Sequence, residues 1–305
     1  MSADPNVRAT DARPFGRVLT AMITPFTSDG GLDLAGAQRL ATHLVDEGGN
    51  DGLVISGTTG ESPTTTDEEK EHLLRAVVEA VGDRASVIAG VGTNDTAHTV
   101  HLAQAAEKAG AQGLLVVSPY YSKPPQAGLL AHFRTVADAT GLPCLLYDIP
   151  GRTGVPIETE TLVALAEHPR IVAVKDAKGD LEASAWVLAR TGLAYYSGDD
   201  KVTLPLLSVG GVGVVGVPTH VVGVRTGQMI RAYENGDVAG ALALHRGMLP
   251  VYSGFFRTQG VILTKAALRL LGLPGGPVRS PLVDATPDQI TQLRKDLADA
   301  GVGAS

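Results

Sequence analysis

The chain has 305 residues, 44% hydrophobic and 19% charged, with 37 glycines and only 4% aromatics; that is enough for one large barrel or two modest domains, and suits layered α/β packing better than an all-β sandwich. A net charge of −7 with no dense basic run argues against a nucleic-acid surface. The single cysteine, Cys144 in the apolar run PCLLYDI, rules out an intrachain disulfide framework and reads as a buried structural thiol.

In chain order, residues 1–16 are polar, lack a signal-peptide core and read as a flexible arm. No later stretch has the length of a membrane span, so a cytoplasmic protein is expected. Eight short apolar runs follow: VLTAMIT (18–24), GLVISG (52–57), SVIAGVG (86–92), GLLVVSP (113–119), PCLLYDI (143–149), IVAVKDA (171–177), LAYYSG (193–198) and VGVVGVP (212–218). Such runs bounded by polar residues read as buried parallel strands. Helical patterns lie between them. One covers 34–47; one opens at Thr66 with Glu69 completing a capping box; one is capped by Asn94 or Asp95 and runs to Lys108; one covers 159–167. Eight such units over 17–234 predict a (β/α)8 TIM barrel, with a doubly wound open sheet as the alternative. Helices are predicted over 221–234, 237–252, 255–272 and 287–300, the last three forming a C-terminal helical extension, residues 235–305. The run GVGVVG (211–216) matches G-x-G-x-x-G but enters a strand instead of opening a helix, so its glycines read as close-packing positions and not as a dinucleotide site.

In a barrel of this kind the active site lies at the C-terminal strand ends. Those ends carry Thr58 and Thr59, Tyr120 and Tyr121, Tyr147, Arg152, Lys175, and Gly198 followed by Asp199 and Asp200. This is a lysine among hydroxyls, with one arginine and no metal-ligand cluster; His43, His72, His98 and His101 sit on helical segments as surface or packing residues. Lys175 follows Ile-Val-Ala-Val without a break. Burial makes an ammonium easier to deprotonate, and the neutral amine is the nucleophile for a Schiff base. The competing reading is a lysine that snorkels to the surface. Tyr147 can carry protons or be a core aromatic. The GTTG turn can hold a carboxylate on its N–H groups or be an ordinary βα turn. Arg152, in the loop PGRTG, can grip a second carboxylate or be solvated. Lys178, three residues past Lys175, is expected in solvent.

Four motifs in register, GTTGES (57–62), SPYYSKP (118–124), YDIPGRTG (147–154) and VKDA (174–177), resemble the dihydrodipicolinate synthase family of class I pyruvate-dependent aldolases. The resemblance runs from about Arg17 to the C-terminal helices. It implies that Lys175 forms a Schiff base with pyruvate and that Thr58, Tyr121 and Tyr147 relay protons, Tyr121 being supplied by the neighbouring subunit. It further implies that Thr59 holds the pyruvate carboxylate, that Arg152 binds the carboxylate of L-aspartate 4-semialdehyde, and that Gly198 and Val215 lie near the lysine. The implied activity is condensation of these two substrates to 4-hydroxy-tetrahydrodipicolinate, opening diaminopimelate and lysine biosynthesis. No metal or cofactor beyond the covalent imine is implied, and the implied assembly is a homotetramer of two tight dimers. A keto-sugar-acid aldolase, or a catalytically silent keto-acid-binding barrel, would share parts of this pattern. Asp148 stands where relatives more often have Asn, with little expected effect. Asp67, Lys70 and His98 depart from the pattern that binds lysine as a feedback inhibitor, so weak or absent inhibition by lysine is expected.

Overall fold

The computed structural model describes residues 13–303; residues 1–12 of the expected arm lie outside the described residues. Eight parallel strands close into a barrel in sequence order, the first hydrogen-bonded to both the second and the eighth. They are β1 (Val18–Ala21), β2 (Gly52–Ile55), β3 (Ser86–Gly90), β4 (Gly113–Val117), β5 (Cys144–Asp148), β6 (Ile171–Asp176), β7 (Ala194–Ser197) and β8 (Gly213–Gly216). The helices are α1 (Leu34–Asp46), α2 (Asp67–Val81), α3 (Thr96–Lys108), α4 (Gln126–Asp138), α5 (Pro150–Thr153), α6 (Thr159–Leu165), α7 (Leu181–Arg190), α8 (Thr203–Leu207), α9 (Thr219–Glu234), α10 (Val238–Gly254), α11 (Gly260–Leu270) and α12 (Pro287–Asp299). The architecture is the TIM barrel expected from the eight apolar runs.

Strand alternation divides the core in two. Leu19, Val54, Ile88, Leu115, Leu145 and Ala173 fill the barrel interior, whereas Leu53, Ile55, Leu114, Leu146 and Val174 face the helices. Local signals set the helix ends. Thr66 and Glu69 form the reciprocal capping box at α2, which satisfies two otherwise orphaned N–H groups. Of the two candidate caps for α3, Asp95 is the one whose carboxylate accepts from the backbone, at Ala97. The glycines of the 211–216 run are close-packing positions: a Cβ on Gly213 would lie 2.1 Å from the Arg17 carbonyl oxygen, and one on Gly216 would lie 2.3 Å from Asp200 Oδ1.

Three features differ from expectation. Residues 13–16, placed in the flexible arm, are packed: Phe15 is buried at the N-terminal mouth of the barrel, and the Tyr196 hydroxyl donates to the Gly16 carbonyl at 3.0 Å. The Arg152 segment is one helical turn, α5, closed by left-handed Gly154 (φ 80°), not an open loop. Lys178 is not in solvent; it pairs with the buried Asp148 at 3.2 Å. The C-terminal extension continues the barrel core, since Val251, Phe255, Leu263 and Leu293 join the interior cluster. No helix among the described residues is long and apolar enough to cross a membrane.

Candidate active site

Tyr147 on β5 and Lys175 on β6 are register partners. Each lies two residues beyond an interior residue, Leu145 and Ala173, so both side chains point into the C-terminal end of the barrel. The Lys175 amine lies 4.1 Å from the Tyr147 ring centroid. Lys175 is only 4% exposed. Burial pushes its amine down to about 8; the Asp200 carboxylate pulls it back up and the Arg152 guanidinium pushes it further down. Burial likewise raises the Tyr147 phenol to about 12, so it stays protonated at neutral pH and can donate a hydrogen bond. Gly198 makes room for the lysine: a Cβ there would sit 3.1 Å from Lys175 Cγ and 2.9 Å from Ala177 Cβ.

The GTTGES turn is held by its own backbone and by the barrel. Glu61 N–H donates to the Thr58 carbonyl at 3.1 Å, and the Thr24 hydroxyl donates to the Gly60 carbonyl at 2.6 Å. Ser56 and Glu61 both adopt left-handed backbone, φ 58° and 56°, a conformation costly for side-chain-bearing residues. Two groups from outside the turn hold Glu61, a buried ammonium and a backbone amide. Lys265 Nζ on α11 lies 2.6 Å from its Oε1, and Arg279 N–H donates to its Oε2 at 2.8 Å.

Thr58, Tyr121, Tyr147 and Arg152 line one cavity of about 540 Å³. Thr59 is buried in the same turn, and Val215 is fully buried in the barrel interior opposite Leu19; neither reaches the cavity wall. Tyr121 is 89% exposed and has φ 72°, so its ring projects away from the chain that carries it. Asp67, Lys70 and His98 line the outer part of the same cavity. Asp67 bridges them: its Oδ2 meets His98 Nε2 at 2.7 Å and its Oδ1 lies 3.8 Å from Lys70 Nζ, which donates to the Thr65 carbonyl.

Sequence reasoning assigned no role to Asp200. It is fully buried at the end of β7 with Oδ1 unpartnered, and burial lifts its carboxyl to about 7. Its position in the Gly198-Asp199-Asp200 strand end was the available signal, but nothing local distinguishes it from Asp199, which caps the following turn. Among the described residues, no three His, Cys, Asp or Glu side chains gather as metal ligands.

A phenol, a hydroxyl-rich turn and an exposed guanidinium on one cavity, with a buried amine packed beneath the phenol ring, suit imine chemistry on a small oxo acid with a second anionic substrate. Comparison with known proteins agrees. Residues 14–300 match the Dihydrodipicolinate synthetase family. The 4-hydroxy-tetrahydrodipicolinate synthase of Acidothermus cellulolyticus is 80% identical over 94% of this chain and 93% of its own length. A second relative of that name, from Streptomyces coelicolor, is 65% identical over 96% of this chain and 98% of its own length. The crystal structure of the Cyanidioschyzon merolae enzyme with lysine bound is 44% identical and superposes with a TM-score of 0.94 over 96% of this chain and all of that one. The chain belongs to the dihydrodipicolinate synthetase family.

Proposed function

We propose that this chain is a 4-hydroxy-tetrahydrodipicolinate synthase that condenses pyruvate with L-aspartate 4-semialdehyde through an imine on Lys175. The observation that carries the reading is the buried Lys175 amine, lowered to about 8, stacked 4.1 Å from the Tyr147 ring at the barrel's C-terminal end. The neutral amine adds to the keto carbon of pyruvate, Tyr147 and Thr58 pass protons, and water leaves as the imine forms. The imine acidifies the pyruvate methyl group. The resulting enamine attacks the aldehyde carbon, and ring closure by the substrate's amino group releases Lys175. In this reading Thr59 and the N–H groups of its turn hold the pyruvate carboxylate, Gly198 and Val215 shape the space around the lysine, and no metal or further cofactor takes part. The exposed Tyr121 serves the site of an adjacent subunit in a homotetramer of two tight dimers, acting in the cytoplasm.

Intact-protein mass spectrometry after pyruvate and borohydride treatment tests the reading. One reduced pyruvyl adduct on the peptide holding Lys175 supports it, and no adduct on folded protein removes it. Arg152→Ala is expected to raise the KM for the semialdehyde by about tenfold or more while moving the pyruvate KM little, as removal of one charge-assisted grip of about 1.5–3 kcal/mol would. If only the pyruvate parameters move, the two carboxylate sites are reversed.

Lysine is expected to inhibit weakly or not at all. The Lys70 cation already occupies the outer cavity wall beside Asp67. A second ammonium ~4 Å from it would meet repulsion of about 1–4 kcal/mol between water and a protein-surface dielectric, or about one to three decades of affinity. Steady-state rates with added lysine check this, and inhibition at micromolar to low-millimolar lysine contradicts it.

A further inference from the structure

Arg152 sits on the one-turn helix α5 and is exposed, with no side-chain hydrogen bond or ion pair to the rest of the chain among the described residues. The position of its guanidinium therefore rests on the backbone of the excursion from Ile149 to Pro156. That excursion leaves β5 at Asp148 and returns at Ile157, both buried. The Thr153 hydroxyl donates to the Ile149 and Val155 carbonyls within it and Gln126 Nε2 donates to the Pro156 carbonyl, while Asp148 ties its two ends together. Asp148 Oδ1 accepts from the Ile157 N–H at 3.1 Å, while Asp148 Oδ2 lies 3.2 Å from Lys178 Nζ. Lys178 Nζ in turn donates to the Ile157 carbonyl at 3.3 Å. The three groups form a ring at the base of the excursion, and Lys178 brings in the segment just past β6.

The surroundings make the ring stiff. Asp148 and Asp176 are register partners at the ends of β5 and β6. Asp176 is occupied elsewhere, accepting from the backbone of Lys178 and Gly179 and from the Ser184 hydroxyl at 2.6 Å. This fixes the start of the Lys178 side chain, whose ammonium is the cation paired with Asp148 among the described residues. Burial raises the Asp148 carboxyl above its usual range and Lys178 pulls it back. A carboxylate this buried needs both its hydrogen bond and its counter-ion.

We propose that the Asp148–Lys178 ion pair is a clasp that positions Arg152 for the second substrate. Asp148 and Lys178 are positioning residues: they touch neither substrate and act through the backbone that carries the guanidinium. The proposal rests on the synthase reading, and its test is separable from it. Borohydride trapping of pyruvate examines Lys175 alone, whereas the clasp is read from the semialdehyde.

The test is Lys178→Met, which keeps an unbranched side chain of similar bulk and removes the cation, made in the parent and in Arg152→Ala. In the parent, the semialdehyde KM is expected to rise about tenfold, with the pyruvate KM and the yield of trapped adduct changed less than about twofold. In the Arg152→Ala background the same substitution is expected to add less than about twofold, because residues acting through one contact are not additive. If Lys178→Met does not fold, Asp148→Asn/Lys178→Met replaces it, since the amide still accepts from Ile157 and no carboxylate is stranded. An unchanged semialdehyde KM, equal effects on both substrates, or full additivity with Arg152→Ala overturns the proposal.

Discussion

Lys175→Ala is expected to give no pyruvyl adduct on borohydride treatment and to lower turnover by at least about 10³-fold, the scale lost when a covalent nucleophile is removed and only binding remains. The variant is expected to stay folded. The Lys175 amine falls from 10.5 to about 8 on burial, so the folded state holds the charged form less well than the unfolded chain does. That difference opposes folding by about 3 kcal/mol at 1.36 kcal/mol per unit. The sign follows from a depressed lysine: the penalty is complete below about pH 8, where both states are protonated, and fades as pH rises toward 10.5. Removing the amine lifts the penalty at pH 7, offset in part by the cavity that Ala leaves. Lys175→Met, which fills that space, is therefore expected to unfold at or above the parent's temperature while forming no adduct. The same depression sets a pH profile. In the parent, the rate of pyruvate trapping is expected to rise with pH up to about 8 and then level off, as the neutral amine becomes the dominant form. Substantial turnover by Lys175→Ala, or a trapping rate that is flat from pH 6 to 9, would place the nucleophile elsewhere.

Much of this site was legible in the sequence because strand chemistry is local. The eight apolar runs fix the barrel, and alternation along YDI and VKDA turns Tyr147 and Lys175 inward together. The capping box at Thr66 is a four-residue signal and needs no tertiary information. What stayed hidden depends on partners distant in the chain. Lys178 reads as a solvated residue beyond a strand end until the neighbouring strand brings Asp148 against it. Phe15 reads as the end of a polar arm until the barrel mouth covers it. Asp200 is one of two adjacent aspartates, and only the fold decides which is buried. Glu61 lies within a recognisable turn, yet its counter-ion Lys265 and the donor Arg279 belong to the C-terminal extension, Arg279 lying 218 residues further along the chain. Nothing local predicts such a pairing, and the extension's connection to the GTTGES turn is visible only in three dimensions.

That connection carries the second large effect. Glu61→Gln is expected to destabilise the fold by about 3–5 kcal/mol, the cost of leaving one partner of a buried ion pair uncompensated, out of a total of about 5–15 kcal/mol for a typical protein. Lys265 has no exposed surface; its amine is held by Glu61 at 2.6 Å and the Pro277 carbonyl at 2.7 Å, and packs 4.2 Å from the Phe26 ring. Burial already pushes this amine down to about 8, with Glu61 the main group opposing the shift. Without the carboxylate, an ammonium remains in a site that water does not reach. Lys265→Met alone strands Glu61 in the same way. Glu61→Gln/Lys265→Met removes both charges, keeps an acceptor for Arg279 N–H and keeps the volume, so it is expected to recover most of the loss. Urea unfolding of the four proteins gives the coupling directly, and additive losses in the double variant would show that the two groups do not act as a pair. Function is expected to follow the turn. Glu61 holds a left-handed backbone three residues from Thr58, and loosening it frees the hydroxyls and N–H groups proposed to hold pyruvate. The pyruvate KM should therefore rise in Glu61→Gln while the semialdehyde KM, proposed to depend on Arg152, moves little. Equal movement of both would mean that the extension supports the barrel as a whole and not the turn in particular.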